Sequence, residues 1–130
     1  MCIRDRGNTI TQNSIHSNGG SYLGIDLYDW GNDEIPAPTA SDVDDCFSVS
    51  GTASAGDTVE VFTGPDDEGK RYLATALADG ANAWEVVGPF SFDTYVTATA
   101  TDGSGNTSEF STQVAADCYP VFLPLGVKNY

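Results

Sequence analysis

Positive charge is the scarcest property of this 130-residue chain: five Lys and Arg stand against 19 Asp and Glu, for a formal charge of −14. Binding a polyanion takes clustered Lys and Arg, so this balance argues against nucleic acid and anionic lipid as partners. Histidine is nearly absent as well. His16 is the only one, no Cys-x-x-Cys occurs, and no nucleophile motif lies near His16. Neither a zinc site nor a Ser-His-Asp or Cys-His centre fits, and His16 reads as an exposed polar side chain. No apolar run reaches the roughly 18 residues of a membrane-spanning helix, so no membrane span is expected. Helical spacing of apolar residues is missing too, which removes helices from the expected fold.

Two-residue periodicity is plentiful instead. Residues 94–101 read Thr-Tyr-Val-Thr-Ala-Thr-Ala-Thr, with Val96, Ala98 and Ala100 on one face of a strand and Thr97, Thr99 and Thr101 on the other. Asp102-Gly103-Ser104-Gly105-Asn106 supplies the turn that follows. A sheet with one apolar face must bury it against a second layer, so the pattern predicts an antiparallel β-sandwich. Further strands are expected at 46–53, with Phe47, Val49 and Gly51 on one side, and at 58–62, with Val59 and Val61 inward. Others follow at 71–77, at 84–87 with Trp84 and Val86 inward, and from Thr107 to Val114. Turn signals about every ten residues suit a sandwich.

The front of the chain has a different texture. Residues 1–6 (Met-Cys-Ile-Arg-Asp-Arg) hold two of the five cations and match nothing downstream. They resemble a translated adapter remnant, which would make them a non-native leader, Cys2 incidental and the chain a fragment. Residues 7–33 place single apolar side chains (Ile10, Ile15, Ile25) among Asn and Gly, the texture of short strands joined by tight corners. Pro36 and Pro38 break the periodicity and mark a linker at 34–43, with Trp30 expected as a cap over an exposed coil end.

Gly51-Thr52-Ala53-Ser54-Ala55-Gly56-Asp57-Thr58-Val59-Glu60-Val61, together with Ala98–Asp102 and Gly105-Asn106-Thr107-Ser108-Glu109, resembles the Ig-like domains of bacterial secreted and surface proteins. Residues 7–33 resemble the last coil of an Asn-rich right-handed parallel β-helix. The resemblance implies an all-β chain: one terminal β-helix coil at 7–33, an Ig-like sandwich at 44–117 and an apolar tail at 118–130. It further implies an extracellular, non-catalytic module that caps and spaces a β-helix, with upstream coils of the same protein as neighbours and a glycan or cell-surface protein as partner. The competing reading is the accessory end of a polysaccharide-degrading β-helix enzyme whose active site lies upstream. In sandwiches of this type the first and last strands run close together, so Cys46 and Cys118, at the two margins, are expected to form a disulfide, with two free thiols as the alternative. Such a bond stabilises by about 4 kcal/mol and implies an oxidising compartment. The tail Tyr119–Tyr130 resembles a short C-terminal signature on exported proteins, with a terminal strand or loose end as the plainer reading.

The carboxylates form three sets. Asp42, Asp44 and Asp45 flank the linker, Asp66, Asp67 and Glu68 share a loop, and Asp26 and Asp29 lie in the coil. Calcium takes six to eight oxygens, and Asp102 with Asn106 would add ligands, but no EF-hand or nonapeptide repeat occurs. Solvated loop charge is the preferred reading, so no metal, cofactor or catalytic residue is assigned. The Asn106-Thr107-Ser108 glycosylation pattern is read as incidental.

Overall fold

The valines and alanines of the alternating segments meet in one core. The computed structural model describes residues 2–3, 5–18, 23–44 and 47–116. After a short parallel pair, β1 (Cys2–Ile3) with β2 (Asp26–Leu27), the chain builds β3 (Thr39–Asp44), β4 (Ser48–Thr52), β5 (Thr58–Gly64), β6 (Arg71–Leu77), β7 (Ala83–Val87), β8 (Tyr95–Thr101) and β9 (Val114–Ala115). These seven form two antiparallel sheets, a small one ordered β3-β4-β7 and a large one ordered β6-β5-β8-β9. Between them Val49, Trp84 and Val86 pack against Val59, Val61, Val96 and Ala98, and all seven are buried. The inward positions expected for β5, β7 and β8 are therefore those observed. Trp84 anchors this core with its ring inside and its Nε1 donating to the Thr52 carbonyl at 3.1 Å.

Several features depart from the sequence reading. The stretch 34–43, read as a linker, contains most of β3, whose Thr39 and Val43 pair with Thr52 and Val49 of β4. Its Ser and Asp carry little strand preference, so ladder pairing rather than propensity makes this strand, with a bulge between Ala40 and Asp42. β3 also lies so close to Gly51 that a Cβ there would sit 1.8 Å from the Thr39 carbonyl oxygen. Phe47, expected inward, stands in the turn before β4 and is 58% exposed. The last strand is not continuous from Thr107: after a bridge between Thr107 and Thr101, ladder pairing resumes only at Val114. In the gap, Ser108 Oγ and Ser111 Oγ accept the backbone N–H of Ala100 and Ala98, both at 2.9 Å. Hydroxyls thus stand where strand carbonyls would be.

The fourth departure is the largest. The threonine face of β8 is not open to water, since Thr97 and Thr99 are as buried as the core-facing alanines. Residues 7–18 and 23–33 lie over it. Ile10 and Ile25 are buried there, and Phe62 meets Phe110 edge-on with ring centroids 5.6 Å apart. Gly24 and Gly69 let the layers approach: a Cβ on either would fall within 3.0 Å of the Phe110 ring. Trp30, expected as a cap, is 70% exposed on a left-handed turn. The hexapeptide set apart in the sequence reading joins the same segment, through the β1–β2 pair, the Asp5 carbonyl accepting from Asn32 N, and an Arg6–Asp33 ion pair at 2.7 Å. Cys46, Cys118 and the tail 118–130 lie outside the described residues.

The core assignment fixes a mutational contrast. Trp84→Ala should cost about 3–5 kcal/mol in urea unfolding, the range for truncating a buried Trp. Leu77→Ala, at a side chain 67% exposed, should stay within about 0.5 kcal/mol. Equal losses for the two would place the core elsewhere.

Candidate functional site at the seam between the N-terminal segment and the large sheet

A backbone segment laid over a sheet face has no ladder to satisfy it, so each buried N–H needs an acceptor from a side chain. The sandwich supplies carboxylates. Glu60, between the inward Val59 and Val61, points to the opposite face and accepts from the Gln12 backbone N–H at 2.9 Å and from the Thr11 hydroxyl. Glu68, only 3% exposed, takes the Asn18 side-chain amide at 2.6 Å and the Asn18 backbone N–H at 3.2 Å. Glu109 Oε2 takes the Leu27 backbone N–H at 2.9 Å. Asn106 Oδ1 accepts from Gly7 N at 2.6 Å, and the Thr107 hydroxyl from Ile10 N at 2.9 Å. From the other side, buried Asn32 accepts the Asn8 N–H and donates through Nδ2 to the carbonyls of Asn8 and Thr107.

The acidic triplet 66–68 thus divides its labour. Asp66 accepts from the Glu68 backbone N–H at 3.0 Å, Asp67 is exposed, and Glu68 is buried and bonded. Asp26 is half-buried and Asp29 exposed, and His16 is exposed with its Nδ1 3.0 Å from Ser17 Oγ. Asp42 is exposed, while the Asp44 side chain and Asp45 fall outside what is described. No group of three His, Cys, Asp or Glu side chains converges among the described residues. Asn106 is 2% exposed with Nδ2 committed to Asp102, so the glycosylation pattern is closed to modification in the folded chain. Sequence reasoning missed Glu60, Glu68 and Glu109 as acceptors, because their bonds span 48, 50 and 82 residues of the chain. The one available signal was an Asn-rich segment with too few ladder partners of its own.

A cleft of about 390 Å³ opens along this seam, lined among others by Leu23, Ile25, Asp67, Glu109, Phe110 and Gln113. An apolar wall edged by two carboxylates offers acceptors to hydroxyl or ammonium donors.

Two aspartates at one end of the sandwich carry opposite shifts. Burial, and secondarily the charge of Asp102, raises the Asp57 carboxyl above its usual range. For Asp102, burial also acts upward but is outweighed by the Asn106 side-chain amide and the backbone N–H groups of Asn106 and Ser104, which lower it. Comparison with protein-family models and with curated proteins gives no match for this chain.

These directions set a pH dependence. A carboxyl raised on folding stabilises the native state only while protonated, so Asp57 costs stability as pH rises from 3.8 through its folded value. Asp102 does the reverse, with stability present above 3.8 and lost as pH falls through its lowered value. In chelator, Asp57→Asn should therefore be more stable than wild type at pH 7, with the gap closing toward pH 3.8 and below. A wild type equal to or more stable than the variant at pH 7, read by urea unfolding, would contradict the burial penalty.

Proposed function

We propose that this chain is a non-catalytic extracellular module: an Ig-like sandwich carrying the terminal coil of a β-helix, which it caps and holds at a fixed spacing. The seam carries this reading. Five side chains of the sandwich (Glu60, Glu68, Asn106, Thr107 and Glu109) bind residues between Gly7 and Leu27, so the segment is seated on the sandwich rather than tethered to it. A spacer needs such a joint, since a flexible one transmits no orientation. Each of the three carboxylates commits at least one oxygen to holding the segment.

Two further observations support the finer assignments. A sheet order of β3-β4-β7 facing β6-β5-β8-β9, with the chain changing sheets after β4, β6 and β7, has the Greek-key character of Ig-like sandwiches. The parallel pairing of Cys2 with Asp26 and Ile3 with Leu27 is the rung expected of successive turns of a parallel coil. The partner in this reading is a glycan or a cell-surface protein, and the seam cleft presents its carboxylates to hydroxyl donors.

Limited proteolysis tests the joint. In the wild type, residues 7–33 should resist cleavage until the sandwich itself unfolds. Glu60→Ala/Glu68→Ala removes charge-assisted bonds worth about 1.5–3 kcal/mol each, so cleavage of the segment should accelerate more than about tenfold while the sandwich survives. A wild-type segment cut as fast as an unstructured peptide would defeat the rigid-spacer reading.

The compartment has its own test. β3, which ends at Asp44 just before Cys46, contacts β9, which ends at Ala115 just before Cys118. We expect these cysteines to be joined in secreted material: alkylation without reductant should label neither, and after reduction both. Label on both before reduction would refute the bond.

A further inference from the structure

The seam cleft has two kinds of wall. Its volume of about 390 Å³ falls within the range of about 300–1,000 Å³ typical of ligand sites. Leu23, Ile25 and Phe110 make the apolar side. Ile25 is buried, Phe110 is half-buried with its ring edge-on to Phe62, and Leu23 is exposed. Asp67 and Glu109 make the charged side. Glu109 commits Oε2 to Leu27 N, while its Oε1 accepts nothing from the described residues. Asp67 is exposed, and its carboxylate takes no hydrogen bond or ion pair among the described residues.

No Lys or Arg among the described residues lines the cleft, and the ion pairs Arg6–Asp33 and Arg71–Asp93 use other carboxylates. The main chain along the cleft has spare capacity too. Between the Thr107 bridge and Val114 the last strand leaves the ladder of β8. Ser111 N–H still donates to the Ala98 carbonyl at 2.8 Å, but the N–H groups of Phe110 and Thr112, on either side, reach no acceptor among the described residues. A chain laid along this stretch can offer them its carbonyls. That is the strand-addition mode of peptide recognition, in which main-chain bonds give affinity and side-chain pockets give selectivity.

We infer that the seam cleft binds an extended basic segment of another protein, with a Lys or Arg side chain laid against Leu23, Ile25 and Phe110 and its cationic head at Asp67 and Glu109. Both side chains suit the two walls at once, because an aliphatic stem covers apolar surface while the charged head stays at the polar edge. Charge complementarity selects this occupant. A chain of formal charge −14 repels anionic glycans and acidic peptides and draws a cationic segment in from a distance. A neutral sugar would leave both carboxylates without a counter-charge. The inference rests on the reading above in taking its cell-surface protein, rather than its glycan, as the partner.

The probe is a short fluorescein-labelled peptide of alternating Lys and Val, titrated with the whole chain at physiological salt and followed by anisotropy. It should bind, and the same peptide with Glu in place of Lys should not. Asp67→Asn and Leu23→Ser, both at exposed side chains, should each weaken binding about three- to fivefold, and together about tenfold or more. Glu85→Gln removes the same charge from an exposed position on β7 and should bind as the wild type does. In the bound state the amide resonances of Phe110 and Thr112 should shift. An equal loss in Glu85→Gln and Asp67→Asn would reduce the effect to bulk charge and overturn the site. So would absence of peptide binding, or tighter binding of a chitosan or xylan oligosaccharide to the same cleft. A failed titration beside a protease-resistant segment overturns this inference alone, whereas a freely cut segment removes the apolar wall and the spacer reading together.

Discussion

Everything else in this molecule depends on satisfying the backbone of residues 7–33 over the threonine face of β8. That face is buried, the segment over it forms one β-bridge to the sheet among the described residues, from Ile15 to Gly69, and its other buried N–H groups need other acceptors. Carboxylates fill the role well, because a charged acceptor makes a hydrogen bond roughly twice as strong as a neutral one. The scarcity of Lys and Arg then becomes intelligible. In this fold the structural partners of Glu60, Glu68 and Glu109 are amides, with one hydroxyl from Thr11, and a cation at those positions would displace the backbone they hold.

The same device recurs wherever a ladder is missing. Ser108 and Ser111 stand in for the carbonyls that a full last strand would offer to β8, leaving residues 109–113 free to turn outward along the seam cleft. Asn32 acts in the opposite sense, joining Asn8 on one side and Thr107 on the other from a left-handed position that Asn tolerates better than most residues. Side-chain oxygens and amides do here what strand pairing does elsewhere. Few large side chains are involved, so the layers come close, and Gly24 and Gly69 mark where they come closest.

How much of this could be read in advance follows from range. The period-two runs of β5, β7 and β8 are local, and their inward residues were legible because valine and tryptophan alternate with polar neighbours. β3 was not legible, since Ser-Asp-Val-Asp becomes a strand only when β4 lies beside it. The burial of Thr97 and Thr99 was hidden for a related reason: threonine fits an exposed face as well as a covered one, and only the segment 80–90 residues earlier decides between them. Phe47 shows the converse, an apolar residue in phase with Val49 that a turn swings into solvent. The acidic loop at 66–68 was legible as charge and illegible as function, because one member's partner, Asn18, lies in a different part of the chain.

Asp57 gains its meaning from that background. The fold provides donors for two other carboxylates of the large sheet, Glu60 and Glu68, whereas the Asp57 carboxylate receives no hydrogen bond among the described residues and its oxygens stay at the rim. Nor is the position forced by the turn before β5. The bonds that shape that turn use the backbone of Asp57, whose N–H reaches the Ser54 carbonyl and whose carbonyl accepts Ala78 N. An asparagine or serine would make the same turn without the charge. What aspartate adds is a negative charge near that of Asp102, at the end of the strand pair whose turn grips Gly7, and burial together with that neighbouring charge makes it oppose folding wherever its carboxyl is ionised.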